Sequence, residues 1–277
     1  MSSGYLVKDI LSQLSTLFLN AAIPRASREA QLLLMHHLGV DELWLLTNTS
    51  VHVKEVEVLL ELAKRRAENE PLEYITKRVS FYSEEFYISS GALIPRPETE
   101  LLIDEVLKSI EDKNAHITFV EVGVGSGIIS IMLAKFFPNA KIIAVDISKD
   151  ALEIAKINIE KFALNKRIEL RMGSLLEPIN EHVDYLVSNP PYIAQDAKLE
   201  SNLSHEPQNA LFGGVEGDEI IKELLDEVLR RNINFFTCEM GYDQKDRIRD
   251  YLKSKTVKEL NFYKDLSDFD RGFTLKV

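Results

Sequence analysis

An apolar run, Tyr185-Leu-Val-Ser188, stops at Asn189-Pro-Pro-Tyr192. Proline cannot donate a ladder hydrogen bond, so Pro190 and Pro191 end the strand that the run predicts. Each residue before a proline is also held extended, which restricts the backbones of Asn189 and Pro190. Neither proline carries an N–H. The Pro190 carbonyl is therefore a fixed acceptor, and the side-chain oxygen of Asn189 can be a second. Two acceptors at one point suit a planar –NH2 group, and the Tyr192 ring offers that group a flat face to stack on. The chemistry such a clamp serves is attack by an amide or exocyclic amine nitrogen, a poor nucleophile. As that nitrogen attacks, positive charge grows on it and its N–H bonds become better donors. Acceptors aimed at them stabilise the transition state more than the ground state.

Glu121-Val-Gly-Val-Gly-Ser-Gly127 joins a strand pattern to a helical one. Gly123, Gly125 and Gly127 alternate, and glycine there lets backbone N–H groups approach a ligand closely. The dinucleotide fingerprint is G-x-G-x-x-G; here the third glycine comes one position early and residue 128 is Ile, which disfavours a pyrophosphate-binding dehydrogenase. The next strand pattern ends at Asp146, where a carboxylate can accept hydrogen bonds from ribose hydroxyls. His36 and His37 are adjacent and point to different helix faces. No nearby acid or thiol has ligand spacing, so no metal is expected.

The elements that must position these residues follow from periodicity. Residues 1–70 read as helices only, opening with an amphipathic one in which Val7, Ile10, Leu11, Leu14, Leu17 and Phe18 share a face. Ser27 is a plausible cap for the second helix and Gly39 its stop. Residues 71–92, rich in aromatic and β-branched types, predict a hairpin linker. From 93 to 277 the pattern is a helix at Glu98–Ile110, then five strands alternating with helices, then two final strands. That is a parallel sheet covered on both faces with an antiparallel edge.

With 277 residues the chain holds one large domain or two ordinary ones. Lys plus Arg is 33 against 44 Asp plus Glu, a formal charge of −11, which argues against an extended nucleic-acid surface. Acids also outnumber bases within residues 1–70. Cys238, the single cysteine, fits a reducing compartment, and its apolar flanks predict inert core packing. No run approaches the roughly 20 apolar residues that cross a membrane, and the amphipathic N-terminus is not a signal peptide; a cytoplasmic protein is expected.

The glycine turn followed by an acid resembles the class I S-adenosylmethionine-dependent methyltransferases. The resemblance implies a Rossmann-like seven-stranded sheet and S-adenosylmethionine as cofactor. It implies that Glu121, Gly123, Val124, Gly125, Ser126 and Gly127 lie under its methionine part. Asp146 would take the ribose hydroxyls, Ser174 and Leu175 would frame the adenine, and Asn189 would lie near the methyl group. Many relatives carry Asp where Ser174 stands. Asn-Pro-Pro-Tyr is shared by methyltransferases acting on planar nitrogens. The flanks "PLEYI", "LIPRPETELL" and "EPQNALFGGVEGDE" resemble the HemK/PrmC family, the release factor glutamine N5-methyltransferases. That implies a helical N-terminal substrate-recognition domain (1–70), the hairpin (71–92) and a methyltransferase domain (93–277). The implied partner is a class I peptide chain release factor, methylated on the glutamine of its Gly-Gly-Gln loop. Arg96 and Glu98 would join Asn189, Pro190, Pro191 and Tyr192 along the substrate. Relatives usually carry Gly in the region of Lys77 and Arg78 and at Ser83. The alternative is a nucleic-acid methyltransferase acting on adenine N6 or guanine N2. A third reading is a non-catalytic S-adenosylmethionine-binding protein, against which an intact Asn189–Tyr192 speaks.

Overall fold

The apolar stripe read in the first helix is the face on which the helical unit assembles. In α1 (Val7–Asn20), Val7, Ile10, Leu14 and Phe18 are buried. They pack with Leu33 and Leu34 of α2 (Ala26–Leu38), Leu45 of α3 (Glu42–Thr47), and Leu59 and Ala63 of α4 (Val56–Ala67). Gly39 caps α2 in the left-handed region (φ +66°), as a helix stop requires. Ser27 is not its N-cap: α2 starts one residue earlier, after Arg25, with no side-chain cap. Arg66 is buried and paired with Glu29, whose carboxylate accepts from both Nε and Nη2, so the buried charge is compensated. A short helix α5 (Leu72–Thr76) follows Pro71. Part of the predicted hairpin is therefore helical. Leu72, Tyr74 and Ile75 are buried, and apolar burial outweighs their β propensity.

The computed structural model describes residues 5–199 and 201–277. They form two compact units, 5–78 with 201–205, and Val79–Leu199 with Glu206–Val277.

The larger unit opens on a two-stranded sheet of β1 (Arg78–Phe81) and β2 (Glu84–Tyr87). Tyr82 (φ +50°) and Ser83 (φ +60°) turn between them. Two successive positive φ values are the signature of a tight hairpin turn that favours glycine. Then come α6 (Thr99–Ser109), β3 (Thr118–Val122), α7 (Ile128–Phe136), β4 (Lys141–Asp146), α8 (Lys149–Lys161) and β5 (Ile168–Met172). They are followed by β6 (Tyr185–Ser188), β7 (Ile193–Ala194), β8 (Phe212–Gly214), α9 (Glu219–Arg231), β9 (Phe235–Glu239), α10 (Lys245–Leu252), β10 (Glu259–Lys264) and β11 (Asp270–Lys276). Seven strands form one sheet in the order β10-β11-β9-β6-β3-β4-β5. The five strands from β9 to β5 run parallel, and β11 is antiparallel to both β9 and β10. The expected antiparallel edge is present.

Side chains alternate between two buried faces, as in a covered parallel sheet. Phe119, Ile142, Ala144, Tyr185 and Val187 pack with α6, α7 and α8. Val120, Ile143, Val145, Leu186 and Cys238 pack with α9 and α10. The chain runs outward from β3 through β4 to β5, then returns to place β6 on the other side of β3. Such a reversal opens a crevice at the carboxyl ends of the strands. Among the described residues no helix is long and apolar enough to cross a membrane.

The strained turn yields a test. Ser83→Gly relieves a left-handed backbone at the expense of some unfolded-state entropy, for a net gain of about 0.5–1 kcal/mol. The urea midpoint should rise with an unchanged slope; a lower midpoint would contradict the strained conformation.

Candidate active site

A cleft of about 290 Å³ lies at the carboxyl ends of β3, β4 and β6. Its walls include Glu121, Gly123, Val124, Gly125, Ser126, Asp146, Ser174, Leu175, Asn189, Pro190 and Pro191, so the structure gathers most of the sequence-predicted site. Gly127, Tyr192, Arg96 and Glu98 do not line it. Gly127 (φ +83°) serves packing: a Cβ there would lie 3.2 Å from Cα and Cβ of Ala155, so glycine lets α7 start against α8.

Asp146 ties the glycine turn down. Its Oδ2 accepts from the Gly125 N–H (3.0 Å) and its Oδ1 from the Ser148 N–H (2.8 Å), while Gly123 and Val124 donate to the Val145 carbonyl. Each carboxylate oxygen keeps a further lone pair for a ligand hydroxyl. Burial raises the Asp146 pKa, and the backbone donors oppose that shift. Glu121 lies one residue before the end of β3, 1 % exposed. Its Oε2 accepts from the Ser130 N–H (2.9 Å) and the Ser130 hydroxyl; its Oε1 has no hydrogen-bond partner. Burial pushes this carboxyl up to about 8; the Ser130 hydrogen bonds oppose the shift and the Asp146 charge adds to it. An unpartnered acidic oxygen in the wall of a largely apolar cleft fits a cationic group there.

The Asn-Pro-Pro-Tyr loop is held from several sides. The Ser188 hydroxyl donates to the Val122 carbonyl (2.8 Å), fixing β6 beside β3. Beyond Tyr192, β7 pairs with β8, and Ile193 and Gln195 donate to the carbonyls of Leu211 and Gly214. A Cβ on Gly217 (φ +85°) would fall 2.6 Å from the Tyr192 carbonyl, so the "FGGVEG" segment needs glycine to press against the loop. The Gln244 side chain donates to that same carbonyl (2.9 Å). The amide nitrogen of Asn189 donates to the Thr99 hydroxyl (3.1 Å). Thr99 Oγ1 donates to Glu239 Oε2 (2.8 Å), and the Tyr192 hydroxyl donates to Glu239 Oε1 (3.1 Å). Glu239 is 2 % exposed, and burial pushes its carboxyl up to about 7, opposed by the Thr99 and Tyr192 hydrogen bonds.

Arg96 is committed elsewhere. It pairs with buried Glu206 (2.5 Å), which also accepts from the Ile94 N–H (2.9 Å). Glu206 thereby pins the extended "LIPRP" segment, while Pro95, Pro207 and Asn209 line the cleft. The sequence reading missed Thr99 and Glu239. Thr99 directly follows Glu98, one of the two residues singled out in "RPETE", and Glu239 is an acid at the carboxyl end of an apolar strand, the same signal that singled out Asp146. Among the described residues no cluster of three or more His, Cys, Asp or Glu is placed to hold a metal.

Known proteins resemble the chain along nearly its whole length. Residues 97–214 match the family model described as methyltransferase small domain, and residues 9–76 match the PrmC N-terminal domain. The release factor glutamine methyltransferase of Dictyoglomus turgidum is 41 % identical over 212 residues, covering 75 % of each chain. The Clostridium botulinum protein of the same name is 36 % identical over 278 residues, covering 96 % of this chain and 97 % of that one. Among solved structures, the N-terminal domain of human METTL16 in complex with SAH shares the fold: TM-score 0.52, 15 % identity, 83 % of this chain and 86 % of that one.

Glu121 makes a pH prediction for the ligand-free protein. Its folded-state pKa of about 8 lies above the ordinary value of 4.5. Its contribution to stability is then full below pH 4.5 and lost as pH rises through 8. Glu121→Gln, which mimics the protonated acid, should be more stable than wild type by on the order of 4 kcal/mol at pH 8, a gap that narrows as pH falls to 5. Parallel denaturation curves across that range, with a constant gap, would contradict it.

Proposed function

The chain belongs to the release factor glutamine methyltransferase family and is an S-adenosylmethionine-dependent methyltransferase; on that premise we propose that it methylates the side-chain N5 of the glutamine in the Gly-Gly-Gln loop of a class I peptide chain release factor. The observation that carries the reading is the polarity of the Asn189 amide. Its nitrogen is taken up by Thr99, which leaves its oxygen to face the substrate.

S-adenosylmethionine supplies an electrophilic methyl group on a sulfonium sulfur. The chain's residues fit it. Asp146 accepts from the ribose hydroxyls with the lone pairs that Gly125 and Ser148 leave open. Glu121, which lines the cleft with Oε1 unpartnered, would compensate the cationic methionine end. Ser174 and Leu175 flank the base end of the cleft. The glutamine amide donates its two N–H bonds to Asn189 Oδ1 and to the Pro190 carbonyl. Both acceptors strengthen their hold as positive charge grows on the nitrogen, where the new N–CH3 bond would form as the S–CH3 bond breaks to leave a neutral thioether, one N–H proton then passing to solvent. Tyr192 backs the loop from outside the cleft, packed against the core with its hydroxyl on Glu239. Proline-fixed geometry and the β7–β8 pairing supply preorganisation.

Residues 1–70 are assigned to recognition of the release factor. Their acidic balance, and the −11 charge of the chain, suit a protein partner better than a polyphosphate. Arg96 and Glu98 shape the substrate side through Glu206 and the start of α6 rather than by direct catalysis. A substrate that acts in translation places the enzyme in the cytoplasm.

The experiment is methyl transfer from labelled cofactor to a bacterial class I release factor and to its loop Gln→Ala variant. Label should enter only the first protein; label in both, or only in added RNA or DNA, would overturn the assignment. Two variants separate the roles. Asn189→Ala should lower kcat by about 10²–10³ with cofactor affinity unchanged. Asp146→Ala should instead weaken cofactor binding, by at most about 1.5–3 kcal/mol per lost charge-assisted hydrogen bond. Calorimetry on both, beside the rates, distinguishes them.

A further inference from the structure

Asn189 can clamp a substrate –NH2 only if its amide keeps its oxygen toward the cleft, and nothing in the asparagine itself decides that. Its two ends are nearly equal in shape and opposite in hydrogen-bonding sense. The decision is made by donor and acceptor counting in a chain of three side chains, half-buried Asn189 and buried Thr99 and Glu239. Thr99 is 2 % exposed and its hydroxyl has one proton. That proton goes to Glu239 Oε2 at 2.8 Å, so toward Asn189 the hydroxyl can only accept. It therefore takes the Asn189 –NH2 at 3.1 Å, and the oxygen is left facing the other way. The acceptor-only end of the chain is Glu239, whose second oxygen takes the Tyr192 proton at 3.1 Å.

We propose that Glu239 and Thr99 are positioning residues that set the direction of the Asn189 amide, so that the clamp presents an acceptor and not a donor. This deepens the functional reading above and rests on it. Neither residue touches the substrate nitrogen; Glu239 acts through Thr99, and Thr99 through Asn189. The same network fixes Tyr192, so both flanks of the Pro190–Pro191 pair answer to one carboxylate.

The relay depends on Glu239 having no proton to give. A protonated Glu239 can donate to Thr99, which then donates to Asn189 Oδ1 and turns the –NH2 toward the substrate, where it opposes the developing charge. The charged and titratable groups around Glu239 are Tyr192, Glu98 at the start of α6, Arg271 on β11, Tyr263 on β10 and the adjacent Cys238. Arg271 favours the carboxylate, and Glu98 and burial disfavour it, with the balance at about 7. Turnover should therefore fall as pH drops through that value.

The test is the pH dependence of kcat for methylation of a release factor, at saturating cofactor and substrate, from about pH 5.5 to 8.5. Wild type should show an acid limb near 7. Glu239→Gln, which cannot titrate, should lose that limb. Thr99→Val, which cuts the relay while keeping shape, should lose the limb and lower kcat by about tenfold or more. Thr99→Ser returns the hydroxyl and should recover most of the loss together with the limb. Cofactor affinity, measured on every variant, should stay near wild type and reports that each is folded. An acid limb that survives in Glu239→Gln, a wild type with none, or a Thr99→Val enzyme with wild-type kcat would overturn the relay. A wild-type enzyme that methylates no release factor at any pH would instead overturn the functional reading.

Discussion

Two consecutive prolines remove every backbone donor from the turn at 190–191, and the site is organised around that missing hydrogen-bonding capacity. A loop without N–H groups cannot hold itself by backbone pairing. Its position is supplied from outside: by β7 pairing with β8, by Gln244 on the Tyr192 carbonyl, by Gly217 allowing close approach, and by Thr99 on Asn189. What the loop gains is acceptors that no neighbouring donor of its own can satisfy. On the proposed reading, an amide nitrogen entering the site would meet carbonyl oxygens already oriented, leaving little reorganisation for the moment of reaction.

Acids dominate the cleft and its support. Glu121, Asp146 and Glu239 are all buried enough for their pKa values to rise, yet each has a different compensation. Asp146 is held by backbone donors, which also lock the glycine turn. Glu239 is held by two hydroxyls. Glu121 is the least satisfied, with one oxygen lacking a partner. Burying such groups costs stability in the empty protein, and a cationic cofactor offsets that cost on binding. The electrostatics thus favour a positively charged ligand before any single contact is specified.

The fold was legible from periodicity because its elements are long and its sheet is buried on both faces. The helices and the seven strands of the main sheet from Glu98 onward fall where alternation and spacing placed them, whereas the short β7 and β8, two and three residues long, carry too little pattern to be read. The glycine turn and Asp146 were legible because each is marked locally, by spacing and by an acid at a strand end. The segment from Pro71 was misread in part, since Leu72–Thr76 is helical for reasons of burial that β propensity does not see. Lys77 (φ +61°) and Ser83 (φ +60°) hold left-handed backbones that glycine would adopt at lower cost. What the sequence could not show is long-range pairing. Thr99 and Glu239 stand 140 residues apart and meet because α6 packs against β9, while Arg96 meets Glu206 across 110 residues. Gly127 matched the motif and yet serves the α7–α8 contact.

The central claim is that Asn189 and Pro190 hold a substrate amide by its two N–H bonds. The most direct measurement is a structure of the enzyme with the demethylated cofactor product and a release factor bound through its Gly-Gly-Gln loop. The claim predicts the glutamine nitrogen about 2.9 Å from both Asn189 Oδ1 and the Pro190 carbonyl, with the Asn189 nitrogen still on Thr99. A glutamine nitrogen distant from both acceptors, or one facing the Asn189 nitrogen instead, would contradict it.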